Sequence, residues 1–232
     1  MKNLFLIIVS FLLLSSTNVF AQKFTLNHTI SSSGFVLDGQ AYQILGEITN
    51  NSGKMLSNIQ VNVNFYDASG KLLKASNFID ESYELQYSDM QPAESEYLAI
   101  NTSIPFKFIR FVDKVDGRIA RSEVVVTGNQ ISATTKAVVE NFTFSKVVEY
   151  GVTTFNVSGD FRCTAGKVFN CYAVLAGLNS SGKIIDIQSI AIDADEISSG
   201  NTVKFSGEFY ENEPGVVKIK AYPGYRGDWD EE

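Results

Sequence analysis

The amino-acid sequence predicts an all-β protein built from two tandem antiparallel β-sandwiches. Three observations carry that expectation. Apolar and polar residues alternate with a period of two, glycine-centred turns recur at short intervals, and one turn-and-strand pattern is present twice.

At the N-terminus, Met1-Lys2-Asn3 precede an apolar run from Leu4 to Leu14 that only Ser10 interrupts. Val19-Phe20-Ala21 then offers small or modest side chains where signal peptidase reads them. Residues 1–21 are therefore expected to be a cleaved signal peptide, which makes the rest an exported, soluble chain of the periplasm or the extracellular space. The apolar run falls short of the ~20 residues that cross a bilayer, so stable membrane insertion is not expected. The stretch 22–232 is long enough for two domains of about a hundred residues each. A composition 44% hydrophobic and 12% aromatic is too apolar for a disordered chain, and a net charge of -7 opposes nucleic acid and anionic lipid.

The repeat organises the remainder. Leu45-Gly46-Glu47-Ile48-Thr49-Asn50-Asn51-Ser52-Gly53-Lys54 matches Ser158-Gly159-Asp160-Phe161-Arg162-Cys163-Thr164-Ala165-Gly166-Lys167 in its Gly-acid-apolar start and its Gly-Lys end. Asp67-Ala68-Ser69-Gly70-Lys71 matches Asn179-Ser180-Ser181-Gly182-Lys183, and Phe24-Thr25-Leu26-Asn27 resembles Phe142-Thr143-Phe144-Ser145 upstream. Ile59, Val61, Val63 and Phe65 alternate with Gln60, Asn62, Asn64 and Tyr66, the signature of a strand with one dry face. The second copy is less regular there, although Val217-Lys218-Ile219-Lys220-Ala221 alternates cleanly. Repeat one is placed at 22–126, a small polar linker at 127–136, repeat two at 137–226 and an acidic tail at 227–232.

Val63-Asn64-Phe65-Tyr66-Asp67 followed by Gly70-Lys71-Leu72, with the hairpin Gly46 to Lys54 before it, resembles the FxLYD family of bacterial extracytoplasmic domains. In repeat two the motif decays to Leu175-Ala176-Gly177-Leu178-Asn179. The resemblance implies an immunoglobulin-like sandwich and supplies no catalytic residues.

Chemistry-bearing residues are sparse. Cys163 and Cys171 sit at the two strands flanking one hairpin loop, and by the repeat Cys171 aligns with Ile59. Both thiols are expected to point inward and to form a disulfide in an oxidising compartment, the alternative being two reduced, buried thiols. His28 is the single histidine and no Gly-x-Ser-x-Gly elbow accompanies it, so no catalytic residue, cofactor or metal is assigned. Asp193, Asp195 and Glu196 form the densest acidic cluster but lack the calcium-loop spacing. Tyr83, Tyr87 and Tyr97, with Tyr222, Tyr225 and Trp229, are two aromatic groups that could serve as a ligand surface or pack internally. The expected role is a non-enzymatic binding or scaffolding protein of the bacterial envelope that contacts a protein partner. A carbohydrate held by exposed aromatic rings is the alternative.

Overall fold

The computed structural model describes residues 23–75, 89–93 and 95–226. The expected signal peptide and acidic tail lie outside the described residues. Repeat one contributes β1 (Lys23–Val36), β2 (Ala41–Thr49), β3 (Met55–Tyr66), β4 (Leu72–Leu73), β5 (Asp89–Pro92), β6 (Tyr97–Leu98), β7 (Ser103–Phe111) and β8 (Arg121–Ile131). Repeat two contributes β9 (Lys136–Glu149), β10 (Val152–Ala165), β11 (Lys167–Leu178), β12 (Ile184–Ala191), β13 (Glu196–Ser198), β14 (Thr202–Tyr210) and β15 (Lys218–Arg226). A short 3-10 turn over Val112–Lys114 interrupts the extended chain.

Among the described residues all the strand pairs are antiparallel, and the two copies share one wiring. In repeat one, β1-β2-β7 faces β4-β3-β8, and the first residues of β1 cross over to pair with β8. In repeat two, β9-β10-β14 faces β12-β11-β15. The short β6 lies on the start of β3 as β13 lies on the start of β11. The chain is thus two tandem β-sandwiches, as the alternation in β3 requires: Ile59, Val61, Val63 and Phe65 are all buried there.

The duplication extends to individual atoms. The Asp67 carboxylate accepts the backbone N–H groups of Ser69 and Lys71, and the Asn179 side-chain oxygen accepts those of Ser181 and Lys183. Each turn closes on a glycine of positive φ, Gly70 at 85° and Gly182 at 76°, where a side chain would be strained. Asn58 and Asn170 both adopt positive φ at a bulge in the equivalent strands β3 and β11. Gly46 and Gly159 lie under the rings of Phe106 and Phe205, so that a Cβ would collide with each ring.

The polar stretch expected to be a linker over 127–136 is mostly strand. Thr127 to Ile131 completes β8 and Lys136 opens β9, leaving four residues between them. Composition misleads here because the amides of that stretch pair with β3 and β1, and the Asn62 amide reaches Thr127 Oγ1 at 3.3 Å.

A connection that short brings the repeats face to face. The sheet β12-β11-β15 is covered on both sides. Cys171, Ala173 and Leu175 enter the core of repeat two, while Val174 and Ala176 join Ile184 and Ile187 in the core of repeat one. The β2–β7 face that receives them carries Leu45, 1% exposed, between polar contacts. Tyr222 donates to Glu47 Oε2 at 2.5 Å, Lys107 lies 3.9 Å from the buried Asp186, and Ser32 donates to the Ile184 carbonyl at 3.4 Å. Asp186 also accepts from the Ile187 amide, Gln188 and Asn212, so its carboxylate is buried with its hydrogen-bonding capacity used. The Tyr222 phenol is raised above its ordinary pKa, first by burial and then by the Glu47 carboxylate.

Because one sheet serves both cores, urea unfolding followed by amide exchange should show the two repeats opening in a single transition. Leu45→Ala, a change within repeat one, should destabilise that transition by about 2–5 kcal/mol. Two resolved transitions, with repeat two untouched by the substitution, would contradict the shared core.

Candidate functional site

The disulfide expected between Cys163 and Cys171 is not formed; both are free thiols in the core of repeat two. Their counterparts in repeat one explain why each residue is there. Cys163 stands where repeat one has Asn50, and both residues bridge the same backbone: Asn50 N to Thr102 O and Asn101 N to Asn50 O, against Cys163 N to Asn201 O and Gly200 N to Cys163 O. The Asn50 amide holds its turn by donating to the carbonyls of Lys54 and Leu98, both at 2.8 Å. The Cys163 thiol does the same more weakly, donating to Ala165 O at 3.3 Å and Gly166 O at 3.5 Å. Cys171 replaces the aliphatic Ile59. One thiol is thus a turn holder and the other a small apolar core residue.

Burial pushes the Cys171 thiol up to about 12, with the neighbouring Cys163 adding to the shift, and burial raises Cys163 as well. Tyr225 lies in the same core at 2% exposure, its phenol raised by burial. Its hydroxyl reaches the Thr135 carbonyl at 3.4 Å, and Ser95 bonds both its N–H and its carbonyl. Tyr97 stacks on it with ring planes 4° apart. Tyr225 and Tyr222 therefore join the repeats and are not a ligand surface; Tyr97 is half-buried beside them. Tyr83, Tyr87 and Trp229 lie outside the described residues.

Glu196 pairs with Lys167 at 3.0 Å and accepts from Ser198, and these contacts hold its carboxyl below the usual range. Among the described residues no group of three or more His, Cys, Asp or Glu could hold a metal ion. His28 Nδ1 lies 3.2 Å from the Leu26 carbonyl on β1. Among the described residues no helix is long and apolar enough to cross a membrane.

Two surface features remain. The first is a shallow hollow of about 550 Å³ on the β9-β10-β14 sheet, with Thr143, Ser145, Asn156, Ser158, Ser206 and Glu208 in its lining. Tyr210 stands beside it and donates to Glu208 at 2.6 Å. The second is a pair of hairpin tips. The β1–β2 tip exposes Phe35 and Leu37, and the β9–β10 tip exposes Val148, Tyr150 and Val152.

Both tips project from the same end of the molecule. Phe65, at the far end of β3, packs on Tyr42 beside the first tip. Ser32, on the way to that tip, meets Ile184. Two residues on, Asp186 bonds Asn212, and Gln188 bonds the backbone of Tyr210, the strand partner of Thr154 near the second tip. Tyr225, Ser95 and Thr135 mark the opposite end.

No family model matches this chain, and no curated protein matches it either. Among solved structures, 89% of the chain overlays 86% of the N-terminal CBM22-1-CBM22-2 tandem domain from Paenibacillus barcinonensis Xyn10C, at 7% identity and a TM-score of 0.18. A score that low carries no argument about fold or ligand.

Periodicity and aromatic clustering do not single out the hairpin tips. A signal is nonetheless present in Leu37-Asp38-Gly39 and Tyr150-Gly151, reversal sequences with a bulky apolar residue where Asn or Asp is usual.

Native protein should leave both cysteines unmodified by iodoacetamide, and denatured, unreduced protein should take up two labels. Above pH 9 the unfolded chain loses the thiol proton that folded Cys171 keeps, so stability should fall as pH rises from about 9 towards 12. Tyr222 and Tyr225 add in the same direction above pH 10. Cys171→Val should flatten the first part of that decline in urea midpoints. An unchanged slope would place the effect elsewhere.

Proposed function

We propose that this chain is a non-catalytic, exported binding or scaffolding protein of the bacterial cell envelope that engages a protein partner. The observation that carries the reading is the gathering of exposed large apolar side chains at one end, on Phe35, Leu37, Val148, Tyr150 and Val152. Single exposed apolar residues are ordinary, whereas several grouped on projecting hairpins support a contact role. The signal-peptide pattern of residues 1–21 supports export, and the FxLYD-like stretch from Val63 to Leu72 supports an extracytoplasmic setting.

A carbohydrate is the second reading, favoured by the hydroxyls, the Asn156 amide and the Glu208 carboxylate that share the hollow with Phe144, beside Tyr210. Amine-reactive crosslinking in intact cells, followed by purification of this chain, should enrich one envelope protein reproducibly. Melting scans across soluble glycans should show no shift. A glycan that raises Tm and loses its effect in Asn156→Ala would replace the first reading with the second.

A further inference from the structure

We propose that the two hairpin tips act together as prongs that grip a single folded protein, with Leu37 and Tyr150 as the anchors. This rests on the binding role proposed above and specifies where and how the partner docks.

Backbone conformation is the first argument. Among the described residues seven non-glycine positions have positive φ, and five of them are Asn or Asp, whose short side chains tolerate that region. The two exceptions are Leu37 at 52° and Tyr150 at 51°. Each is bulky, each is exposed, and each sits at the turn of the first hairpin of its repeat. Tyr150-Gly151 forms a two-residue turn closed by the Glu149–Val152 pair, a place where Asn-Gly folds with less strain. Leu37 opens a turn in which the Gly39 N–H donates to the Val36 carbonyl at 3.1 Å. Folding alone favours neither residue at its site, and the same departure occurs at equivalent places in both copies. Strain of this kind, held at an exposed tip, marks a contact made with something else.

Geometry supplies the second argument. The β1–β2 sheet packs on β12-β11-β15, which packs in turn on β9-β10-β14. Two inter-sheet steps of about 10 Å separate the prongs by roughly 20 Å across the layers. The shared middle sheet fixes that spacing, so one partner surface can meet both tips without ordering either first.

Charge selects the partner. The charged side chains of the tips at neutral pH are Asp38 and Glu149, with no basic residue in 35–41 or 147–153. An anionic bilayer is repelled by such tips. The fitting surface is a folded protein with two apolar hollows about 20 Å apart, each rimmed by basic groups.

The test places a photoreactive phenylalanine at Leu37, at Tyr150, at the exposed edge residue Thr202, or at Ile100, which is exposed at the opposite end. After irradiation of intact cells, Leu37 and Tyr150 should give an adduct of the same mass, and Thr202 and Ile100 none. Leu37→Asn should lower the Tyr150 adduct by at least about tenfold, because the prongs bind as a unit. Leu37→Asn and Tyr150→Asn should each raise Tm by about 2 °C, since Asn suits these backbone angles better. Adducts from Thr202 or Ile100 alone would sink the prongs and leave a binding role standing; no adduct from any position would sink both. A fall in Tm would make the tip residues structural and overturn the proposal. So would flotation of purified protein with phosphatidylcholine vesicles that is lost in the double Asn variant.

Discussion

The architecture depends on a junction at which β12-β11-β15 and the β2–β7 part of its neighbour are each covered on both faces. In an ordinary two-layer sandwich each strand sends alternate residues to water. In β11 the alternate residues go to different cores, with Ala173 and Leu175 on one side and Val174 and Ala176 on the other. That arrangement buries apolar area against both repeats and leaves polar groups at the junction that need partners. Glu47 with Tyr222, and Lys107 with Asp186, supply them. These directional contacts set the registry of one sandwich on the other, which apolar packing alone specifies weakly.

The same constraint decides how much of the fold is legible in the sequence. β3 is plain because its outward residues Asn62 and Asn64 are polar and its inward residues are not. β11 is opaque because a strand buried on both faces loses its period of two and becomes a continuous run from Ala173 to Leu178. The apparent decay of the Phe-Tyr-Asp motif in repeat two is the composition required by a middle layer. The same cause hides the role of Tyr222 and Tyr225, since nothing local distinguishes a tyrosine that seals a junction from one that faces a ligand. The polar residues at 127–131 resemble a loop because backbone pairing between distant strands leaves no mark on composition.

The cysteines show what duplication allows. An asparagine amide makes several strong hydrogen bonds where a thiol makes weak ones, yet Cys163 keeps the backbone connections that Asn50 makes. The turn is specified mainly by main-chain pairing and by the glycine that reverses it, so the side chain inside can drift. A residue's own counterpart in the other copy is therefore more informative than cysteine spacing by itself. Spacing places both thiols inward, as the structure does, but it cannot show that the Cys163 sulfur turns towards its own loop.

The four-residue join between β8 and β9 makes the two repeats physically interdependent. With the second repeat seated on the β2–β7 face, Leu45 is kept from water there, so each copy covers apolar surface of the other. A descendant shedding repeat two would expose a sticky, edge-bounded sheet and be driven to recruit a replacement, most simply the same element from a sister molecule.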